Sequence, residues 1–114
     1  MRLDAIGSCY LPSAVNKIFS TIRIMDVVTL IAEFLGTFLL VLSVFASGGN
    51  AYAIGATLAV VVLLTGKLSG GHVNPAISFA MFMKGSLSVK ELLAYVVAQL
   101  LGGVSSLYAY RVFA

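Results

Sequence analysis

The sequence predicts an all-α integral membrane protein with three transmembrane helices and one re-entrant half-helix. Three observations carry that reading. Of the 114 residues, 61% are hydrophobic and 10% charged, against roughly 45–50% and 25% in soluble domains. No charged residue occurs from Phe34 to Gly66 or from Leu92 to Tyr110, and each run competes with the ~20 residues of a membrane-spanning helix. Between them, SGGHVNPAIS at residues 69–78 breaks the apolar pattern with two glycines, an asparagine, a proline and the sole histidine.

The elements follow in order. Residues 1–24 form an N-terminal extension, cytoplasmic or interfacial, and residues 25–114 a membrane half-domain. In the extension Leu11, Val15, Ile18, Phe19 and Ile22 fall at helical spacing with polar residues on the other faces, which suits a short helix lying on a membrane surface. The alternative is a poorly structured extension with Met25 as the working start. The first span runs from about Val27 to Ser47, where Ser47-Gly48-Gly49-Asn50 makes a turn. The second runs from about Ala51 to Leu68. The 33 residues from Phe34 to Gly66 would be about 50 Å long as one helix, so they must fold back across a ~30 Å hydrocarbon core. A third span covers about Leu92 to Tyr110, after a polar break at Lys84-Gly85-Ser86.

Asn74 to Lys84 is too short to span, at about 15 Å. Anchored at Lys84, its start lies near the membrane midplane. The preceding residues Ser69 to Val73 then descend as irregular backbone, which survives at that depth only inside protein or along a water-filled cavity. Asn74 is a strong N-cap, and Pro75 at the first helical position forfeits no hydrogen bond. The half-helix dipole adds about half a positive charge there, favouring an acceptor oxygen over a cation. Glu33, inside the first span, is costly in lipid unless partnered. The free N–H groups of the loop suit it, and Gln99 in the third span serves likewise.

Small residues recur every four positions at Ala94, Ala98, Gly102 and Ser106, at Gly55 and Ala59, and at Ala32 and Gly36. Such stripes let helices approach closely in lipid. If the spans alternate, Arg2, Lys17, Arg23, Lys67, Lys84 and Lys90 share one side and Arg111 takes the other. That bias predicts a cytoplasmic N-terminus and a C-terminus outside.

The charges are dispersed beside apolar segments, so the partner they imply is the lipid bilayer and not nucleic acid. Cys9 is alone and distant from His72, which leaves no metal set. No cofactor is implied. Ser69, His72 and Glu33 lack a spacing that would suggest a catalytic triad, and no enzyme is expected.

Three motifs, AEFLGTF at 32–38, SGGHVNPAIS at 69–78 and AQLLGG at 98–103, resemble the aquaporin or major intrinsic protein family. Their order matches the first half of a family member, an aquaporin-like hemi-repeat with one Asn-Pro-Ala loop. The resemblance implies a channel for passive transport of water or small neutral solutes such as glycerol. It implies Asn74 as the donor at the pore centre, with Pro75 and Ala76 holding the turn. The carbonyls of Gly70, Gly71, His72 and Val73 would line the pore, Ile54 would sit at the outer constriction, and Glu33 and Gln99 would brace the loop, His72 being structural. Family members carry two such loops; here Ile77 follows the only one. The chain is therefore expected to need a complementary half-channel or homo-oligomerisation. The alternative is a non-conducting interaction protein, or a truncated fragment, that associates with full-length members.

Overall fold

The structure, a computed structural model, describes residues 13–114, and the side chains of residues 16–25 lie outside that description. Among the described residues four helices follow one another: α1 (Ser13–Ala46), α2 (Ala51–Ser69), α3 (Pro75–Lys84) and α4 (Val89–Phe113). No strand occurs among the described residues. Asp26–Ala46 of α1, all of α2 and all of α4 are long and apolar enough to cross a membrane. The ten-residue α3 is not.

α1 is longer than the predicted first span. It continues unbroken through position 24, where the sequence placed the edge of the extension. Residues 1–12, and the apolar face proposed for the leader, lie outside the description.

Turn chemistry sets the other boundaries. Gly48 and Gly49 adopt positive φ between α1 and α2, and the Asn50 side chain caps α2 by accepting from the Tyr52 and Ala53 amides. Gly85 closes α3 in the left-handed region. A Ser88–Glu91 capping box then starts α4 three residues before the predicted Leu92, each side chain bonding the other's backbone N–H.

α1 and α4 run parallel. Glu33 meets Gln99, Phe34 meets Gly102 and Phe45 meets Tyr110, at a sequence offset of about 66 throughout. Gly102 permits this approach, since a Cβ there would overlap the Phe34 carbonyl oxygen. α2 runs antiparallel to α1: Thr29 reaches the Leu68 carbonyl at 2.8 Å, while Gly36 faces Val61 and Thr65 a few turns along. α3 packs on α4. Ala32, Gly36, Gly102 and Ser106 are buried as the stripes predict, with Ala94 and Ala98 half-buried. Gly55 and Ala59 are exposed, so that stripe meets no other described helix. The core is a seam of small and polar side chains, as suits association in lipid, where apolar burial gives little drive.

Candidate functional site

Residues 70–74 join α2 to α3 where the helices converge. The path is sharply bent: Gly70, Gly71 and Val73 have φ of 91°, 66° and 44°. Glycine tolerates this region, but a β-branched valine there is strained by about 1–3 kcal/mol. Val73 is held from both sides. Its N–H donates to Glu33 Oε2 at 2.7 Å, and its side chain, buried, sits so close to Gly36 that a Cβ on that glycine would lie 2.6 Å from Val73 Cγ1.

Glu33 is fully buried, with 0% of its surface exposed. Four donors surround it. Oε1 accepts from Ser69 Oγ at 2.6 Å and the His72 N–H at 3.0 Å, and Oε2 from the Val73 N–H at 2.7 Å and Gln99 Nε2 at 2.9 Å. All four are neutral, so the carboxylate is compensated by hydrogen bonds alone. This is the condition under which an acid survives inside a membrane helix.

The network extends through Ser78, one turn into α3 and fully buried. Gln99 Nε2 donates to Ser78 Oγ at 2.8 Å, and His72 Nδ1 lies 3.0 Å from the same oxygen. Beyond the bond from Gln99, the Ser78 hydroxyl has one lone pair and one proton for His72 Nδ1, and the ring tautomer sets the direction of that bond. Tyr95 completes the cluster, its ring 5.0 Å from His72 and its hydroxyl donating to the Ser69 carbonyl at 2.7 Å. Together with Thr29 on Leu68, that bond satisfies two carbonyls at the end of α2.

Two sets of groups are left available. No described residue donates to the carbonyls of Gly70, Gly71, His72 or Val73. Asn74 caps α3 by accepting the Ala76 N–H at 2.9 Å, so its oxygen is engaged and its amide nitrogen has no described partner. Asn74 is exposed and Pro75 occupies the first helical position. Around α3, this segment therefore offers backbone acceptors followed by one side-chain donor at a half-helix start.

The family model of the major intrinsic proteins matches residues 19–113. The chain belongs to this family. Major intrinsic proteins are membrane channels and not enzymes, and with three apolar helices this member is an integral, multi-pass membrane protein. It is 39% identical over 90 residues to the aquaglyceroporin AqpS of Rhizobium meliloti (strain 1021), covering 66% of this chain and 39% of that protein. Against the glycerol uptake facilitator protein-like 6 of Lactiplantibacillus plantarum the identity is 33% over 91 residues, covering 73% and 42%. A probable aquaporin of Oryza sativa subsp. japonica, PIP2-7, is 46% identical over 57 residues, covering 50% and 20%. The chain spans less than half the length of each of these relatives.

Within this major intrinsic protein, the residues singled out in sequence fall in two places. Glu33, Gln99, His72 and Val73 meet in one network, with Gly70, Gly71, Asn74, Pro75 and Ala76 along the adjoining loop. Ile54 stands apart, half-buried near the start of α2, and shares no hydrogen bond with the cluster. Sequence reasoning missed Ser69 as a donor to Glu33, Ser78 as a bridge, Tyr95 as a carbonyl partner and Gly36 as a seat for Val73. A serine inside an apolar half-helix is itself a signal, because a buried hydroxyl needs a partner.

Proposed function

We propose that this chain supplies one half of a channel for water or small neutral solutes such as glycerol. One observation carries the reading. A buried carboxylate takes the loop's N–H groups, leaving its carbonyls unbonded and the Asn74 amide free at the start of a half-helix. A solute passing this segment exchanges water's hydrogen bonds for those of the Gly70, Gly71, His72 and Val73 carbonyls and then accepts from Asn74. Half-helix dipoles and lining donors are the general basis of aquaporin selectivity, and they repel cations. Pro75 and Ala76 hold the turn, Glu33 and Gln99 brace it, His72 is structural, and Ile54 forms part of an outer, apolar constriction. The names of the relatives, an aquaglyceroporin and a glycerol uptake facilitator-like protein, support the substrate class.

The second half comes from a complementary half-channel or from further copies of the chain. The N-terminus is cytoplasmic and the C-terminus outside, because Lys67, Lys84 and Lys90 gather at one end of the helices and Arg111 lies at the other. Stopped-flow swelling of proteoliposomes tests conduction. Water or glycerol permeability above that of empty vesicles supports a self-sufficient oligomer. Permeability at the empty-vesicle level, restored when a complementary half is co-reconstituted, supports the two-part channel; no permeability in either case sinks the proposal.

The exposed Gly55–Ala59 stripe favours a second reading, in which the chain binds full-length family members without conducting. Co-purification from membranes containing both chains tests it, and a chain recovered alone rules it out.

A further inference from the structure

Between α1 and α4 lies a second, open feature whose lining shares no residue with the loop network. It is an apolar groove of 560 Å³ with Val27, Ile31 and Phe34 along one wall and Leu93, Val97 and Leu101 along the other. Its floor includes Ala94 and Ala98, whose small side chains make it concave. At one end it adjoins a polar cleft of 310 Å³, with which it shares Leu30 and Ala94. That cleft is lined by Asp26, Lys90 and Glu91. All three are exposed, and none forms an ion pair with another described residue. One Glu91 oxygen accepts the Ser88 N–H at 3.2 Å; the other is uncommitted.

The lengths match one leaflet of a bilayer. From Lys90 to Leu101 α4 advances eleven steps, about 16 Å at 1.5 Å per residue, against about 15 Å for half of the hydrocarbon core. Phe34 and Leu101 at the deep end stand beside Glu33 and Gln99 in sequence, level with the loop. The charged rim at the other end stands at the depth of headgroups.

We propose that the groove is a binding site for a phospholipid whose headgroup carries both a phosphate and a primary ammonium. The acyl chain lies along the apolar walls. Lys90 donates to the phosphate, and the carboxylates of Asp26 and Glu91 accept from the ammonium. A choline headgroup has no N–H to offer those carboxylates, and a glycerol headgroup brings no cation to them. The rim therefore selects ethanolamine-type lipid.

The chain contains no tryptophan, which makes a direct test available. Val97→Trp places a fluorophore in the groove, and Ile31→Trp on the facing wall is a second reporter should the first disturb folding. Leu63→Trp, at a residue 82% exposed on α2, is the control. The full chain is reconstituted in phosphatidylcholine with small fractions of brominated-chain phosphatidylethanolamine, phosphatidylcholine or phosphatidylglycerol. The groove reporters should be quenched by the ethanolamine lipid with an apparent affinity about three- to tenfold higher, the scale two exposed charge contacts supply. The control should be quenched equally by all three. Adding Asp26→Asn and Glu91→Gln should abolish the preference but not the quenching. Equal quenching in the groove by all three lipids overturns the proposal, as does a preference that survives the double substitution. Groove reporters that no lipid quenches, beside a quenched control, would show that protein covers the site and overturn it too.

Discussion

Glu33 concentrates the chemistry of the loop in a single side chain. Both oxygens accept two hydrogen bonds, so no isosteric substitution can replace it. Glu33→Gln turns one acceptor into a donor aimed at two donors. At least one buried N–H, that of His72 or of Val73, then loses its partner, at about 1–3 kcal/mol. Equilibrium unfolding in mixed micelles should show that loss, with Glu33→Ala at least as destabilised; an unchanged midpoint for either variant would mean that the carboxylate does not hold the loop. Gly36 makes a second residue-scale claim. Gly36→Ala drives a methyl into Val73 and should cost about 1–3 kcal/mol, the usual range for overpacking. Shortening the partner removes the clash, so Gly36→Ala with Val73→Ala should be destabilised by less than the sum of the two single changes. Strict additivity would place Val73 elsewhere. The roles of these two residues were unequally legible. An acid inside a charge-free run announces a need for partners, whereas a glycine in an apolar helix looks like any other until the chain that covers it is known.

At the scale of elements, the half-helix depends on its first residues. Asn74 both caps α3 and presents an amide, and two substitutions separate these functions. Asn74→Ala removes the cap and should destabilise the protein by about 0.5–2 kcal/mol. Asn74→Asp keeps an oxygen for the Ala76 N–H and places negative charge at a helix N-terminus, where it is favoured. Its stability should hold while cation exclusion weakens in proteoliposome conductance. Unchanged ion leak in a well-folded Asn74→Asp channel would remove Asn74 from the pore. Most element boundaries were legible because glycine, asparagine and proline mark them: Gly48-Gly49-Asn50, Asn74-Pro75 and Gly85 all stand where turns occur. The start of α4 was not, because its Ser88–Glu91 capping box lies just outside the charge-free run that defined the span. The left-handed backbone at Val73 was also invisible, since nothing local favours it. Glu33 and the Val73 socket at Gly36 impose it from another helix.

Across the whole molecule, the polar network sits at the convergence of the described helices, and much of the surface around it is exposed. α2 buries only Val61, Thr65 and Ser69 and leaves Gly55 and Ala59 bare. Asn74, the residue with a free donor, is exposed. The chain spans less than half of its relatives' length, and under the proposed two-part channel these are the surfaces that the opposing half covers. Whether copies of the same chain can serve depends on topology. Inverted halves must insert in opposite orientations, yet Lys67, Lys84 and Lys90 crowd one end of the helices, and the other, with the Ser47–Asn50 turn and the last turn of α4, offers among the described residues only Arg111. A bias of this kind commits a chain to one orientation. In a Cys9→Ser background, an impermeant maleimide applied to intact cells should therefore label Gly48→Cys in the α1–α2 turn and leave Ser86→Cys in the α3–α4 turn unlabelled until the membrane is permeabilised. Comparable labelling at both positions would mean that the chain inserts both ways up, making an antiparallel pair of copies a complete pore. Labelling of Gly48→Cys alone leaves a fixed orientation, so the opposing half must be a different polypeptide segment.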